Sequence, residues 1–268
     1  LHSGDYHEWL GWQSRFGVVR DGFGLSFDPK RDPTALARLN AELFPGRGHR
    51  KTYDEIPGFP DASLDVRRVE TDRVSLERMQ SAWQRARELE KLGRDAVSAA
   101  VERLRARQLA ELAKVPALID LARDLIASGL SVPVFLNFRD SIREVAAALG
   151  STVIDGEHSG ESYRVAAIED FQSNRAHSLV LQTGAGGVGI SLHDFHGKRP
   201  RHSLISPPEN ARDLIQALGR NRRVGQLSPA FRTILTLAGS VEERVKMAVE
   251  RKAAQIETIN DGDLAYSE

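Results

Sequence analysis

The second half of the chain alternates short apolar runs with helical patterns, and this alternation constrains the fold more than any other feature. Val132–Phe138 is an apolar run typical of a buried parallel strand. Further strands are predicted at Thr152–Ile154, Ser178–Thr183, Ser203–Ser206 and Arg232–Leu237, and helices at Ser141–Leu149, Ser162–Gln172 and Glu209–Leu218. Repeated β–α–β units favour a parallel α/β sheet covered by helices.

Helix ends in this half carry capping signals. Asp140 is predicted to cap the N-terminus of the Ser141–Leu149 helix, and Gly150 is predicted to end it. The run Ser240–Glu243 has the pattern of a capping box, which opens a helix that continues to about Ile259. Both signals agree with alternating helices and strands.

The first half of the chain gives weaker patterns. Residues 1–74 are rich in glycine, proline and aromatic side chains and are predicted to be irregular, apart from a short helix at Pro33–Leu43 with Asp32 as its N-cap. Residues 75–129 are predicted to be mostly helical, with breaks at Pro116 and at the glycines. We therefore expect an α/β domain preceded by an irregular segment and a long helical region.

Composition excludes several classes of function. The 268 residues include no cysteine, which excludes disulfides, cysteine nucleophiles and cysteine metal sites. The 37 Lys and Arg residues balance 37 Asp and Glu residues, so any contact with nucleic acid must come from a local patch. No apolar run is long enough to span a membrane. The start at Leu1 has no signal-peptide pattern, and we expect the chain to be part of a longer protein.

One run of glutamine, glycine and arginine residues carries the most specific chemistry. In Gln216-Ala-Leu-Gly-Arg220-Asn-Arg-Arg223-Val-Gly-Gln226, Arg220 and Arg223 are one helical turn apart and can point the same way. Two fixed guanidinium groups on one face suit the charge of a phosphoryl group in transfer. For an isolated arginine pair, a solvated basic helix end is the alternative.

The whole run, Q-x-x-G-R-x-x-R-x-G-Q, resembles the last signature motif of superfamily two helicases in their Swi/Snf-like branch. Three earlier stretches resemble preceding motifs of these proteins: Val134–Arg139 the fourth motif, the spaced residues Asp155, Gly156, Ser159, Arg164, Ile168, Phe171 and Gln172 the block after it, and Thr183–Leu192 the fifth motif. Because the four stretches occur in the expected order, residues 130–268 resemble the C-terminal RecA-like lobe of such a helicase.

The resemblance implies that this lobe completes an ATP site from one side. Arg220 and Arg223 are then candidate arginine fingers and the catalytic residues of the chain. The nucleotide contacts that it implies come from the fifth and last motifs: Gln216, Gly219, Gln226, Gly187, Gly189 and Ser191. For the two glutamines, a place on the helix surface is the alternative.

A P-loop is missing from this sequence. No G-x-x-x-x-G-K-[ST] pattern occurs in it, so the chain is not expected to hydrolyse ATP alone. The implied partner is an N-terminal P-loop lobe, in the same parent chain or in a separate one. Mg²⁺ is expected to be bound mainly by that lobe, and we predict no metal site in this chain.

The resemblance also implies a nucleic-acid partner, expected to be duplex DNA, and an intracellular location in the cytoplasm or nucleoid. Thr183 and Gly184 follow one predicted strand, and Asn137 and Arg139 follow another. Ligands of open α/β sheets bind at the carboxyl ends of the strands. These four residues are therefore the candidate nucleic-acid contacts.

The segment from Arg47 to Pro60 resembles the end of the first lobe in the strawberry notch-like subgroup and its phage and bacterial relatives. In Swi/Snf-like enzymes a comparable segment precedes helical protrusions. The resemblance thus implies the tail of a first lobe at 1–74, a helical protrusion or linker at 75–129, and the C-terminal lobe at 130–268.

The leading hypothesis is the C-terminal part of an ATP-dependent DNA helicase or translocase. A non-catalytic nucleic-acid-binding or regulatory module is the first alternative, because the P-loop is absent. A dinucleotide-dependent oxidoreductase is the second, since Gly184–Gly189 also fits G-x-G-x-x-G after a strand. That fingerprint needs a helix directly after it, and residues 191–200 do not favour one.

Overall fold

The computed structural model describes residues 10–21, 24–27, 32, 34–43, 56–92, 96–158, 160–184, 190–240 and 242. The chain divides into two compact units. The smaller unit contains Leu1–Gly58, Glu209–Ala211 and Ala248–Glu268, and the larger contains Phe59–Pro208 and Arg212–Met247. The C-terminal helix predicted after Ser240 lies almost entirely outside the described residues.

The smaller unit contains an antiparallel pair of strands, β1 (Val18–Asp21) and β2 (Gly24–Phe27), and the helix α1 (Ala35–Leu43). The short helix predicted in this region is therefore present. Asp32 caps it, because the backbone N–H of Thr34 donates to Asp32 Oδ1 at 3.0 Å. Hydrogen bonds from Arg38 and Thr34 lower the pKa of the Asp32 carboxyl.

A six-stranded parallel sheet forms the centre of the larger unit, and it confirms the predicted fold class. Its strands are β3 (Ala62–Val69), β4 (Val132–Leu136), β5 (Thr152–Ile154), β6 (Ser178–Gln182), β7 (Arg201–Ile205) and β8 (Ala230–Leu237). Their order across the sheet is β3-β8-β7-β4-β6-β5, and each pair of neighbours is parallel. The central strand β4 is buried along its whole length, as its apolar sequence predicts.

Helices surround this sheet. They are α2 (Arg73–Leu92), α3 (Ala96–Ala127), α4 (Arg139–Leu149), α5 (Glu161–Gln172) and most of α6 (Ala211–Leu218). Val115 and Leu118 of α3 and Ile142 and Val145 of α4 are buried in one hydrophobic core with the central strands. No helix within the described residues has the length and apolar character that crossing a membrane requires.

Strand β3 was not predicted, and tertiary pairing explains its presence. Most of its residues are exposed, and it carries Asp65, Arg67 and Arg68, so the sequence has neither an apolar run nor strict alternation. All eight residues nevertheless pair with β8. Pairing with an existing strand thus outweighs the weak local preference for extended backbone.

The predicted break at Pro116 is wrong, because α3 continues through this residue. Proline inside a helix costs about 3 kcal/mol through a lost hydrogen bond and a steric clash. The neighbouring Val115, Leu118 and Ile119 are buried in the core. Their burial offsets the cost, at about 1.5–3 kcal/mol for each large apolar side chain.

The predicted N-cap of α4 is also wrong. The helix begins at Arg139, so Asp140 lies in its first turn, and the N-cap residue Phe138 forms no side-chain capping bond. Gly150 does end the helix, as predicted: its φ is 61°, and its N–H donates to Ala146 O. The cap at the other end comes from a distant residue, Glu111, whose Oε1 accepts the Phe138 N–H at 2.9 Å.

We expect acid to destabilise the fold through His202 on β7. Burial, aided by Arg67 and opposed by Asp65, lowers the pKa of this imidazole from 6.5 to about 4, and Nε2 lies 2.8 Å from Thr233 Oγ1. Since the unfolded chain takes up the proton at a higher pH than the folded chain, stability present at neutral pH is lost between about 6.5 and 4.

Denaturant unfolding across this pH range checks the expectation. The variant His202→Gln keeps a polar partner for Thr233 but cannot titrate, so its free energy of unfolding should fall less steeply with acid than that of the wild type. Equal slopes for the two proteins would contradict the assignment to His202.

Candidate functional site

The predicted site residues lie at opposite edges of the parallel sheet. Asn137 and Thr183 directly follow the adjacent strands β4 and β6 and so lie at the carboxyl edge, where the strands end. Gln226 donates from Nε2 to the carbonyl of Pro60 at 3.3 Å, and Pro60 stands two residues before β3. The end of the arginine run therefore lies at the amino edge. A strand of five residues separates the two edges by about 17 Å.

At the carboxyl edge, Thr183 turns its hydroxyl into the protein. Its backbone N–H donates to Leu136 O at 2.8 Å, its Oγ1 donates to the same carbonyl at 3.1 Å, and the residue is buried. Thr183 thereby joins the end of β6 to the end of β4. In this arrangement its side chain shapes the edge, and its contact with nucleic acid stays a prediction.

The side-chain amide of Asn137 is likewise engaged within the fold. Its Nδ2 donates to Glu111 Oε2 at 2.7 Å and to the carbonyls of Ser206 and Pro207 at 3.3 Å each. Asn137 therefore ties the end of β4 to the end of β7. Its proposed contact with nucleic acid also stays a prediction.

Arg139 and Gly184 are the predicted nucleic-acid contacts that face solvent. The Arg139 side chain is 60% exposed, and its Nη1 lies 2.5 Å from Glu157 Oε1. An exposed ion pair of this kind contributes little net stability, so the guanidinium can exchange Glu157 for a phosphate. Gly184 is exposed, and a Cβ added to it would meet no atom within 4 Å.

At the amino edge, Arg220 joins the arginine run to the end of the fifth motif, Ile190 and Leu192. The residue is 6% exposed, its Nη1 donates to Ile190 O at 3.2 Å, and its own carbonyl accepts the Leu192 N–H at 2.8 Å. Burial, followed by the charge of Arg223, lowers the pKa of Arg220. This guanidinium stabilises the contact between the two motifs.

Arg223 is more accessible than Arg220. It is half-buried, and its Nε donates to the carbonyl of Gly219 at 3.3 Å, which orients the guanidinium along the turn after α6. Both predicted finger residues thus lie on one short turn. Two neighbouring cations, one of them accessible, suit an anionic ligand such as a phosphoryl group.

The side-chain amide of Gln226 holds this turn in place through hydrogen bonds. The residue is 4% exposed, its Oε1 accepts the backbone N–H of Arg223 at 3.2 Å, and its Nε2 donates to the carbonyls of Pro60 and Ser228. Gly225, with a φ of 93°, supplies the left-handed residue that the turn needs. The amide of Gln226 therefore orients the arginine run.

The other predicted nucleotide contacts are distributed around this turn. Gln216 is half-buried on α6, and Gly219 is half-buried directly after it. Ser191 is half-buried, and its carbonyl accepts a hydrogen bond from Gln172 Nε2. Gly187 and Gly189 lie outside the described residues.

His193 and Asp194 were not among the predicted site residues, yet they lie beside the arginine turn. Asp194 accepts the backbone N–H of His196 at 2.9 Å, and its carbonyl accepts the N–H of Leu227 at 2.8 Å. Burial alone would raise the pKa of Asp194, but the backbone N–H groups of His196 and Arg199, which donate to its carboxylate, hold the pKa below its usual value. His193 is 3% exposed, and within the described residues neither ring nitrogen has a hydrogen-bond partner.

Metal binding and dinucleotide binding find no support in the described residues. Those residues contain no group of three His, Asp or Glu side chains arranged to hold a metal ion. Residues 190–200, all of which are described, include no helix. The dinucleotide fingerprint needs a helix there to hold a pyrophosphate.

Known proteins similar in sequence to this chain are a helicase and a chromatin remodeller. The chain is 38% identical over 160 residues to the putative ATP-dependent RNA helicase L364 of Acanthamoeba polyphaga mimivirus, a match covering 59% of this chain and 30% of the relative. It is 31% identical over 96 residues to the chromatin remodeling factor mit1 of Schizosaccharomyces pombe, covering 35% of this chain and 6% of the relative. The chain therefore spans less than a third of each relative, and no protein-family model matches it.

The fold also has a known counterpart. The C-terminal part of the Fun30 ATPase domain superposes with a TM-score of 0.56 and 15% sequence identity, covering 71% of this chain and 89% of that one. The predicted RecA-like fold is confirmed by this likeness. The resemblance to helicases is confirmed in its coarser form, as a likeness to helicase and remodeller relatives.

Proposed function

We propose that this chain is the C-terminal lobe of an ATP-dependent helicase or translocase of superfamily two, in the strawberry notch-like subgroup of the Swi/Snf-like branch. It would supply arginine fingers and a nucleic-acid face to an ATP site that a P-loop lobe completes. The observation that carries the proposal is the attachment of the arginine turn to the end of the fifth motif, through Arg220 and the backbone of Ile190 and Leu192.

In this proposal Arg223 is the principal finger. Its guanidinium is accessible and oriented by the Gly219 carbonyl, so it can meet the charge that develops on a transferred phosphoryl group. Arg220 braces the turn from inside. ATP and Mg²⁺ would be held by the P-loop lobe, while residues of this chain neutralise charge and orient the turn.

The two edges of the sheet take different ligands in this proposal. Arg139 and Gly184 at the carboxyl edge would contact the phosphates of duplex DNA, and the arginine turn at the amino edge would face the nucleotide. Gly184 follows β6 at the first edge, and Leu192, eight residues further along the chain, donates its N–H to Arg220 O at the second. A change in how the turn meets ATP would thereby reach the nucleic-acid face through a direct covalent path.

The segments predicted from sequence fit the same proposal. Residues 1–74 would be the tail of the first lobe, whose strand β3 joins the sheet of the C-terminal lobe. Residues 75–129 would be a helical protrusion or linker whose second helix packs on that sheet, and 130–268 the C-terminal lobe. The protein would act in the cytoplasm or nucleoid. Since the sequence lacks a P-loop, a nucleic-acid-binding or regulatory module without hydrolysis is the second candidate.

ATP hydrolysis by a reconstituted enzyme tests both candidates. Turnover would be measured for this chain alone, for the P-loop lobe of the same source alone, and for their mixture, each with and without duplex DNA. We expect turnover only in the mixture and stimulation by DNA. Duplex RNA in place of DNA, in a parallel series, decides which nucleic acid is preferred.

Three other outcomes would each contradict part or all of this expectation. DNA binding without turnover in the mixture would favour the regulatory module. Turnover by this chain alone would contradict the dependence on a second lobe. Neither binding nor turnover would contradict both candidates.

A further inference from the structure

Helix α3 carries two charged side chains that are almost completely buried. Glu111 and Lys114, three residues apart, are each 1% exposed. A buried charge is unfavourable unless it is paired and hydrogen-bonded. Their partners therefore show what these side chains hold in place.

Lys114 connects α3 to two strands near their carboxyl ends. Its Nζ donates to Ser206 Oγ at 2.9 Å, to Leu235 O at 3.0 Å and to Glu242 Oε1 at 2.6 Å. Ser206 directly follows β7, and Leu235 lies in the last part of β8. All three protons of the ammonium group are thus satisfied.

Glu111 connects the same helix to the end of β4. Its carboxylate accepts the backbone N–H groups of Asn137 at 3.0 Å and Phe138 at 2.9 Å, together with Asn137 Nδ2 at 2.7 Å. It supplies the cap that α4 lacks among its own residues. Asn137 in turn reaches the carbonyls of Ser206 and Pro207, so the two networks meet at the end of β7.

Fold stability alone does not require ionised groups at these positions. Well-packed apolar side chains of similar volume would hold α3 on the sheet at least as well as a buried ion pair. Charge-assisted hydrogen bonds differ in being directional, and they fix the positions of the atoms that they join. The atoms that they join lie at the ends of β4, β7 and β8. Arg139 lies shortly after the end of β4, and Gly184 lies shortly after the end of β6, the neighbour of β4 in the sheet.

We propose that Glu111 and Lys114 are positioning residues for the nucleic-acid face. They would act through Asn137 and Ser206, holding the carboxyl edge in the arrangement that binds the phosphates of duplex DNA. The inference rests on the proposed function, and it assigns a role in binding to two side chains that do not reach the surface.

Two variants separate positioning from stability. Glu111→Gln removes one charge with little change in volume, and the paired variant Lys114→Met with Glu242→Leu replaces the ion pair by apolar side chains, which is expected to preserve folding. The matched control is Arg201→Met. Arg201 is also 1% exposed, but it stands at the amino edge, where its Nη1 donates to Asn174 Oδ1 at 2.7 Å.

Binding of a fluorescein-labelled duplex oligonucleotide would be measured by anisotropy with the full chain, at a temperature where circular dichroism shows every variant folded. Both test variants should weaken binding about tenfold, which corresponds to 1.4 kcal/mol. Arg201→Met should bind within about twofold of the wild type, even if its unfolding temperature falls as far as theirs.

The possible failures are distinguishable. If the wild type binds DNA and both test variants bind it equally well, the positioning role is contradicted and the proposed function is unaffected. Equal loss in Arg201→Met would also contradict it, because the loss would then follow stability. No binding by the wild type would contradict the proposed function and the inference that rests on it.

Discussion

Replacing Arg223 by alanine is expected to lower ATP turnover of the reconstituted enzyme by a factor of about 10³ to 10⁵, as loss of an arginine finger does. The structure distinguishes this residue from Arg220, which is 6% exposed and bonded to Ile190 O. A finger must reach the phosphoryl group, and the half-buried Arg223 is better placed to do so. The check is kcat at saturating ATP, which separates transition-state stabilisation from nucleotide binding.

Neighbouring substitutions provide the controls for this measurement. Arg223→Lys keeps the charge but loses the planar guanidinium with its paired N–H donors, so its turnover should lie between those of Arg223→Ala and the wild type. Arg222→Ala removes an adjacent guanidinium that lies 5.9 Å from the centre of the Phe59 ring, and it should leave turnover nearly unchanged. Wild-type turnover in Arg223→Ala, or an equal loss in Arg222→Ala, would show that Arg223 is not the finger.

Glu242→Gln is expected to lower the free energy of unfolding by about 3–5 kcal/mol, the usual cost of breaking a buried ion pair. Glu242 Oε1 lies 2.6 Å from Lys114 Nζ, and its Oε2 accepts the Leu237 N–H at 2.8 Å. Burial raises the pKa of the Glu242 carboxyl, and the Lys114 ammonium opposes that rise. Removing the carboxylate therefore leaves a buried cation without its counter-charge.

A double-mutant cycle isolates the pair. Unfolding by urea would be measured for Glu242→Leu, for Lys114→Met and for the two substitutions combined, with Glu242→Gln beside them. The combined variant should be close to the wild type in stability, because the two opposite charges are removed together. A loss below about 1 kcal/mol in Glu242→Gln, typical of an exposed pair, would contradict the buried pairing.

Much of the sheet could be predicted because its central strands are apolar runs. Val132–Leu136 is buried at every position, and such a run has few alternatives to a central parallel strand. Strand β3 could not be predicted, since its stability comes from pairing with β8 and its exposed residues give no pattern. The helix break predicted at Pro116 is wrong for the same reason, because packing on the sheet outweighs a local preference.

The candidate site was only partly accessible to sequence reasoning. The spacing of Arg220 and Arg223 places them on one turn, but their different burial depends on how that turn packs. Glu111 and Lys114 were missed because charged residues in a long helical stretch usually face solvent. The available signal was weak: Ala110, Ala113 and Val115 surround them with small or apolar side chains.

Among the described residues β3 and β5 are the outer strands of the sheet, and they affect how the sheet can meet other proteins. On one side β3 exposes Asp65, Arg67 and Arg68, and on the other side β5 has only three residues. Charged or very short outer strands prevent a further strand from adding to a sheet. Extension by another sheet edge to edge is therefore disfavoured, and we expect a neighbouring domain to approach through loops and helices. Such a domain could separate and return without breaking a single β-ladder hydrogen bond.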